Sequence, residues 1–195
     1  MAREDLRLIL TSRRRSRAAL LAAAIGFGNV ACNQRAIESW LSEGQQNAGP
    51  SLYTEEPFRK LVLEVKRAVP APIQVLSLLV YPDHAVLQVM DPGNHSRALQ
   101  YVYRGGALSD GVPVKLLGKG KLEDNVFPLE AAKIAAIPHL TRDAQNRAKI
   151  PEGSVARVLL KRNLPESMDI QFRVFVTSQR RDAFFDANQD GVLID

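Results

Sequence analysis

Apolar positions along this chain fall into two successive blocks, each opening with a helical period and continuing with strand-like alternation. Thr54-Glu55-Glu56-Pro57 reads as a helix start, with Thr54 as N-cap and two acids in the positive first turn. Phe58, Leu61, Val62 and Val65 recur at i, i+3, i+4 and i+7, one apolar face, until Pro70 and Pro72 stop the helix. Residues 73–81 are strand-like, Pro82-Asp83-His84 turns the chain, and residues 85–90 form a second strand. Asp91-Pro92-Gly93-Asn94 is a turn, with Pro92 fixing φ and Gly93 expected at positive φ. A third strand alternates Leu99, Tyr101 and Tyr103 with Gln100, Val102 and Arg104. Gly105-Gly106 turns again, and residues 112–117 make a fourth strand.

The order then repeats. Asp124-Asn125 precede a helical stretch expected from Pro128, carrying Leu129, Ala132 and Ile137, restarted or kinked at Pro138 and continued by Leu140 and Ala144. Pro151-Glu152-Gly153 ends it. In residues 155–161, Val155, Arg157, Leu159 and Lys161 face one way, and Ala156, Val158 and Leu160 the other. Ile170, Phe172, Val174 and Val176 alternate with Gln171, Arg173, Phe175 and Thr177. A strand over 182–187 follows, and Asn188-Gln189-Asp190-Gly191 turns into a terminal strand, Val192-Leu193-Ile194, whose edge is a place for strand addition. The expected fold class is therefore α+β, with two tandem helix-plus-antiparallel-sheet units over 54–122 and 123–195. Each is marginal as an independent core, so the two are expected to pack together. Whether their sheets join is left open.

The segment before these units has another character. Arg13-Arg14-Arg15-Ser16-Arg17 closes a positive stretch, a short apolar run from Ala18 to Phe27 follows, and Gly26 and Gly28 break it ahead of Asn29-Val30-Ala31-Cys32. This is the three-part layout of an export signal over 1–31. Val30, Ala31 and Cys32 resemble the bacterial lipobox, with Asn29 departing from its usual Leu. The resemblance implies cleavage before Cys32, acylation of its thiol and a membrane anchor built on two or three acyl chains. The alternatives are plain cleaved secretion and a retained N-terminal helix. Asn33 follows the cysteine where Asp would be the other sorting choice. By the enteric lipoprotein pattern, that points to the periplasmic face of the outer membrane. Residues 32–53 read as a tether. Ala36, Ile37, Trp40 and Leu41 have the spacing of a short helix, and Glu43 to Ser51 is a polar linker.

Charge follows the same division. The 195-residue chain carries +5 overall, but residues 1–31 hold six basic side chains and two acids. The remaining 20 basic and 19 acidic residues leave +1 for the body, too little for a nucleic-acid footprint. Arg180-Arg181-Asp182 and Lys115, Lys119 and Lys121 make two small basic spots that read as solvated faces. The single cysteine excludes an internal disulfide framework and a Cys-rich zinc module.

No catalytic constellation is visible. His84, His95 and His139 lack metal spacing and read as exposed turn histidines, His139 at a helix start. Gly118-Lys119-Gly120-Lys121 lacks the spacing of a phosphate loop and reads as a flexible turn between units. Asp186-x-Asn188-x-Asp190-Gly191 matches the first half of a calcium loop, with Asp195 or the terminal carboxylate as the candidates for the distal ligand. Its alternative reading is a turn rich in residues that bond their own backbone. Calcium is thus the one cofactor considered, and no other is expected.

The second block carries Phe172-Arg173-Val174-Phe175-Val176, then Phe185-Asp186-Ala187, then Asp190-Gly191-Val192-Leu193. These runs resemble the PepSY family. The first block echoes them in Val86-Leu87-Gln88-Val89 and Tyr101-Val102-Tyr103-Arg104-Gly105-Gly106-Ala107-Leu108, without the Asp-Ala pair. Element order alone is similar to the two-lobed β-lactamase-inhibitor proteins. The resemblance implies an envelope binding or inhibitory module rather than a catalyst. The reading is a non-enzymatic, lipid-anchored envelope protein that binds another protein through an open sheet face or the cleft between units. The alternatives are a peptidase inhibitor or chaperone-like module and a small-ligand or lipid carrier. Twelve aromatics with one Trp speak against a large apolar pocket.

Overall fold

The computed structural model describes residues 49–116 and 120–194. The leader, Val30, Ala31, Cys32 and the linker from Glu43 to Ala48 lie outside them, as do Leu117, Gly118, Lys119 and Asp195. Helix α1 (Glu55–Ala68) begins where the capping residue and first-turn acids place it. The Thr54 carbonyl accepts the Phe58 N–H at 3.1 Å, and the Thr54 hydroxyl donates to the Ser51 carbonyl at 2.6 Å rather than into the helix. Phe58, Leu61 and Val65 are buried, and Lys66 and Arg67 sit in the negative last turn. The chain continues through β1 (Gln74–Val80), β2 (His84–Asp91), β3 (Asn94–Arg104), β4 (Ala107–Leu108) and β5 (Val112–Val114).

A short helix α2 (Leu122–Asn125) and strand β6 (Phe127–Pro128) come next, then two 3-10 turns, Leu129–Ala131 and Ile134–Ala136. Helix α3 (Ile137–Ala148), β7 (Ser154–Arg162), β8 (Ile170–Thr177) and β9 (Asp182–Ala187) complete the order. The helical stretch expected from Pro128 is thus corrected. Phe127 and Pro128 pair with Val75 and Gln74 of β1, and the regular helix starts only at Ile137, with Pro138 in its first turn. Proline there costs no intrahelical bond, whereas pairing with β1 takes the backbone just before Leu129 out of helical geometry.

All the strands belong to one sheet with the order β4-β3-β2-β1-β7-β8-β9, β5 beside β3 and β6 beside β1. The two sets of strands meet where β1 pairs antiparallel with β7, Leu79 opposite Leu159, flanked by Leu78↔Leu160 and Val80↔Val158. Each of these strands carries a one-residue bulge, Leu76 in β1 and Ala156 in β7, at positions 80 residues apart. A bulge shifts the alternation by one. Val155 therefore joins Val158 and Leu160 in the core and parts from Arg157 and Leu159, correcting the alternation expected from the sequence.

Helices α1 and α3 cover one sheet face. Their buried residues and those of the strands form a single core that includes Phe58, Leu61, Val89, Phe127, Leu140, Leu160 and Phe172. Two turns differ in how they reverse the chain. Gly105 and Gly106 both have positive φ (59° and 88°), the two-residue hairpin geometry that matches strand twist. Gly93 does not. There the Asp91 carboxylate accepts the Gly93 N–H at 2.8 Å and the Arg97 guanidinium, so a side chain makes the turn. The terminal strand expected over residues 192–194 reduces to a single bridge, Ala187↔Leu193.

Candidate binding surface

The face of the sheet away from α1 and α3 differs between its two ends. Over β1–β3 it is closed. Leu122 and Val126 pack on Ala98, with Leu76, Met90 and Val114 around them. Beside this patch, Ser77 donates to Gln88 (3.3 Å) and Gln88 to Gln100 (2.9 Å), so adjacent strands consume one another's polar groups. At the β1–β2 turn, the Tyr81 and His84 rings stack at 4.3 Å. Asp83 accepts from Arg104 at 2.7 Å and lies 2.8 Å from His84 Nδ1. Burial pulls the Asp83 carboxyl upward, but the His84 hydrogen bond and the charges of His84 and Arg104 outweigh it and hold it below the usual carboxylate range. His84 is thus a partly buried member of a polar cluster, not the exposed turn histidine expected. Its own turn folds it back onto Tyr81. His95 is exposed, and His139 sits in the first turn of α3, 3.4 Å from Glu55 Oε1.

Over β7–β9 the same face is open. Register places Leu159, Arg173 and Asp186 in one row and Arg157, Phe175 and Phe184 in the next. The Arg157 guanidinium lies 4.1 Å from the Phe175 ring centre, and that of Arg173 lies 4.9 Å from Phe184. Asp186 grips Arg173 with both oxygens, at 2.7 and 3.0 Å, and this hydrogen-bonded pairing pushes the guanidinium pKa up further. Phe184 remains 59% exposed. A large aromatic left in water, with the Arg173 guanidinium held against it and that of Arg157 over the next ring in its row, can bury apolar area and make charge-assisted hydrogen bonds to a partner.

The Asp186–Gly191 segment closes on its own chain. The Asn188 side-chain carbonyl accepts the N–H groups of Asp190 (3.1 Å) and Val192 (3.0 Å), and Gly191 turns at φ 77°. The Lys133 N–H donates to the Gln189 carbonyl at 2.8 Å. A Cβ on Gly191 would fall 2.5 Å from that of Ala136, so the turn is seated against the second 3-10 turn. These are the bonds of an Asx-type turn. Asp186 faces Arg173 rather than Asn188 and Asp190, and a cation would have to displace that pair. Among the described residues no group of three or more His, Cys, Asp or Glu side chains could hold a metal.

Sequence reasoning named Arg157, Arg173 and Phe175 as strand positions, the last two also within the PepSY-like run, and reached Phe184 only as part of the strand over 182–187. It missed them as a surface because the alternation that places them in rows does not say which face is covered. Among the described residues no helix is long and apolar enough to cross a membrane.

No family model matches the chain, and no curated protein matches it. The PepSY resemblance therefore rests on its short motifs. Among solved structures, the chain is similar to the crystal structure of a "putative lipoprotein" from Clostridium difficile 630. That match has a TM-score of 0.52 and 8% identity, and covers 75% of this chain and 97% of the other. At that identity the likeness is one of fold: an α+β chain built on a large antiparallel sheet.

Proposed function

We propose that this protein is a non-enzymatic, lipid-anchored component of a bacterial cell envelope that binds another protein on the open β7–β9 face. The observation that carries the binding reading is the uncovered row of Arg157, Phe175 and Phe184, on a sheet whose other end is closed. The anchor reading is carried by Val30-Ala31-Cys32 after a basic and then apolar leader. Its fold also resembles that of a protein described as a lipoprotein. In this reading residues 1–31 are the cleaved signal and 32–53 the tether, placing the body on the periplasmic face of the outer membrane. Residues 54–122 and 123–195 are two units of one plan. The paired bulges at Leu76 and Ala156 and the Leu79↔Leu159 junction support that division.

A PepSY-type peptidase inhibitor is a narrower form of the same binding role, and inhibition of an envelope protease by residues 33–195 would single it out. A ligand carrier fits less well, because the grooves on the described residues are open and partly polar.

The anchor is tested by the intact mass of detergent-extracted protein. The expected mass begins at Cys32 with added acyl groups, and Cys32→Ala loses both processing and lipid. An unprocessed chain with a free thiol overturns the anchor. The binding face is tested by crosslinking in cells. A specific envelope protein captured by the parent and lost in Phe184→Ser with Arg157→Ser is expected, and equal capture overturns it.

A further inference from the structure

Two loops that are far apart in sequence form a cationic groove. Lys149, Ile150, Pro151 and Glu152, between α3 and β7, line one wall, and residues 178–181, between β8 and β9, line the other. The groove encloses about 490 Å³. Lys149, Arg180 and Arg181 are exposed, and among the described residues none of the three is paired with a carboxylate. Glu152 is the single acid in the lining, and the nearby Asp182 is engaged by the Thr177 hydroxyl at 2.5 Å. The backbone behind the arginines is held in place. The Ser178 hydroxyl accepts the N–H groups of Arg180 and Arg181 and donates to the Arg181 carbonyl. Three cations with no ion-pair partner among the described residues are thus presented, two from a fixed turn and one from Lys149, the left-handed residue (φ 48°) that follows the end of α3.

The groove lies at the end of the sheet where the chain enters the fold. The Leu52 N–H donates to the Pro82 carbonyl at the β1–β2 turn. Tyr53 and Pro82 share a second groove with Ser154 and Val155, the first residues of β7. The α3–β7 loop therefore separates the entry point from the cationic groove. Cys32 lies 17 residues before Gly49. A chain of that length spans at most about 60 Å.

From this we infer that the Lys149–Arg180–Arg181 groove docks the body onto the anionic phosphate headgroups of the membrane to which it is tethered. The inference rests on the anchor reading for its setting. Tethering makes a weak second contact effective, because the groove meets the surface at high local concentration. Docking at this end would stand the strands end-on to the membrane. The β7–β9 face would then stand clear of the lipid, open to a partner.

The test uses residues 33–195, which lack both leader and lipid and retain every core residue that is buried among the described residues, Leu52 to Ala187. Flotation with phosphatidylcholine vesicles containing about 30 mol% phosphatidylglycerol is compared with pure phosphatidylcholine. The parent is expected to bind only the anionic vesicles and to be released at about 0.5 M salt. Each basic residue near such a surface is worth about fivefold in binding. Lys149→Asn with Arg180→Ser and Arg181→Ser should therefore weaken binding at least about tenfold. Glu152→Gln should strengthen it, which keeps the test decisive if the triple variant folds poorly. Equal binding to neutral vesicles, no vesicle binding, or a triple variant within about twofold of the parent overturns the groove. Because the protein in this assay carries no acyl chain of its own and the mass measurement contains no vesicle, a failed anchor and a failed groove give different results.

Discussion

The two ends of the sheet use one scaffold in opposite ways. Beneath α1 and α3 they are alike, each contributing alternate strand residues to a shared apolar core. On the reverse face they part. The β1–β3 end buries Ala98 under Leu122 and Val126 and spends its polar side chains on one another. The β7–β9 end leaves Phe184 in water and holds its arginines over aromatic rings. The difference traces to the connection between β5 and β6, which supplies α2 as a cover for one end only. A sheet face needs one apolar side for stability, so the second side is free to be covered or to serve.

The largest effect should come from the core that both ends share. Phe172→Ala, at a fully buried position, should cost about 3–5 kcal/mol and lower one unfolding transition for the whole molecule. Calorimetry showing two separate transitions, only one of them shifted, would break the picture of a shared core. Gly191→Ala comes next. Its left-handed φ and the 2.5 Å approach to Ala136 should together cost about 1–3 kcal/mol, read as a lower denaturant midpoint with an unchanged slope.

The third prediction concerns acid. The Gly93 N–H, then the Arg97 hydrogen bond, hold the Asp91 carboxyl below its usual range, with burial opposing them. A carboxylate whose pKa is depressed by folding adds stability above the unfolded pKa of about 4 and loses it as pH falls through the folded value. Thermal midpoints should fall on acidification below about pH 4, and Asp91→Asn should flatten that part of the curve. A parallel curve for the variant would remove Asp91 as the cause. Smallest of all should be Phe184→Ser, within about 0.5 kcal/mol of the parent because the ring is already exposed. A larger loss of stability would mean that the β7–β9 face is structural rather than free.

Some of this was legible in the chain. α1 could be placed from Thr54, the first-turn acids and the Phe58–Leu61–Val65 spacing, because a helix is specified by neighbours within two turns. The strict alternation of β8 and the Gly105-Gly106 reversal are local in the same sense. The Val155 face was misread because a bulge leaves no mark on periodicity until the partner strand is known. The helix expected from Pro128 yielded to β6 because Phe127 and Pro128 pair with β1, more than 50 residues earlier. For the candidate surface, Arg173 and Phe175 were visible as strand positions, and Arg180-Arg181 as a basic spot. Their roles were not visible.

By itself, then, the sequence determined the basic and then apolar run ahead of Cys32, the α+β order of elements and the local turn chemistry. Each depends on side chains close together along the chain. Only the tertiary structure decided three further points. The two sets of strands merge through β1 and β7, the reverse face is covered at one end and open at the other, and Lys149 stands across a groove from Arg180 and Arg181. All three are contacts between residues distant in sequence. They are set by which apolar faces and strand edges find one another, and no local pattern encodes that choice.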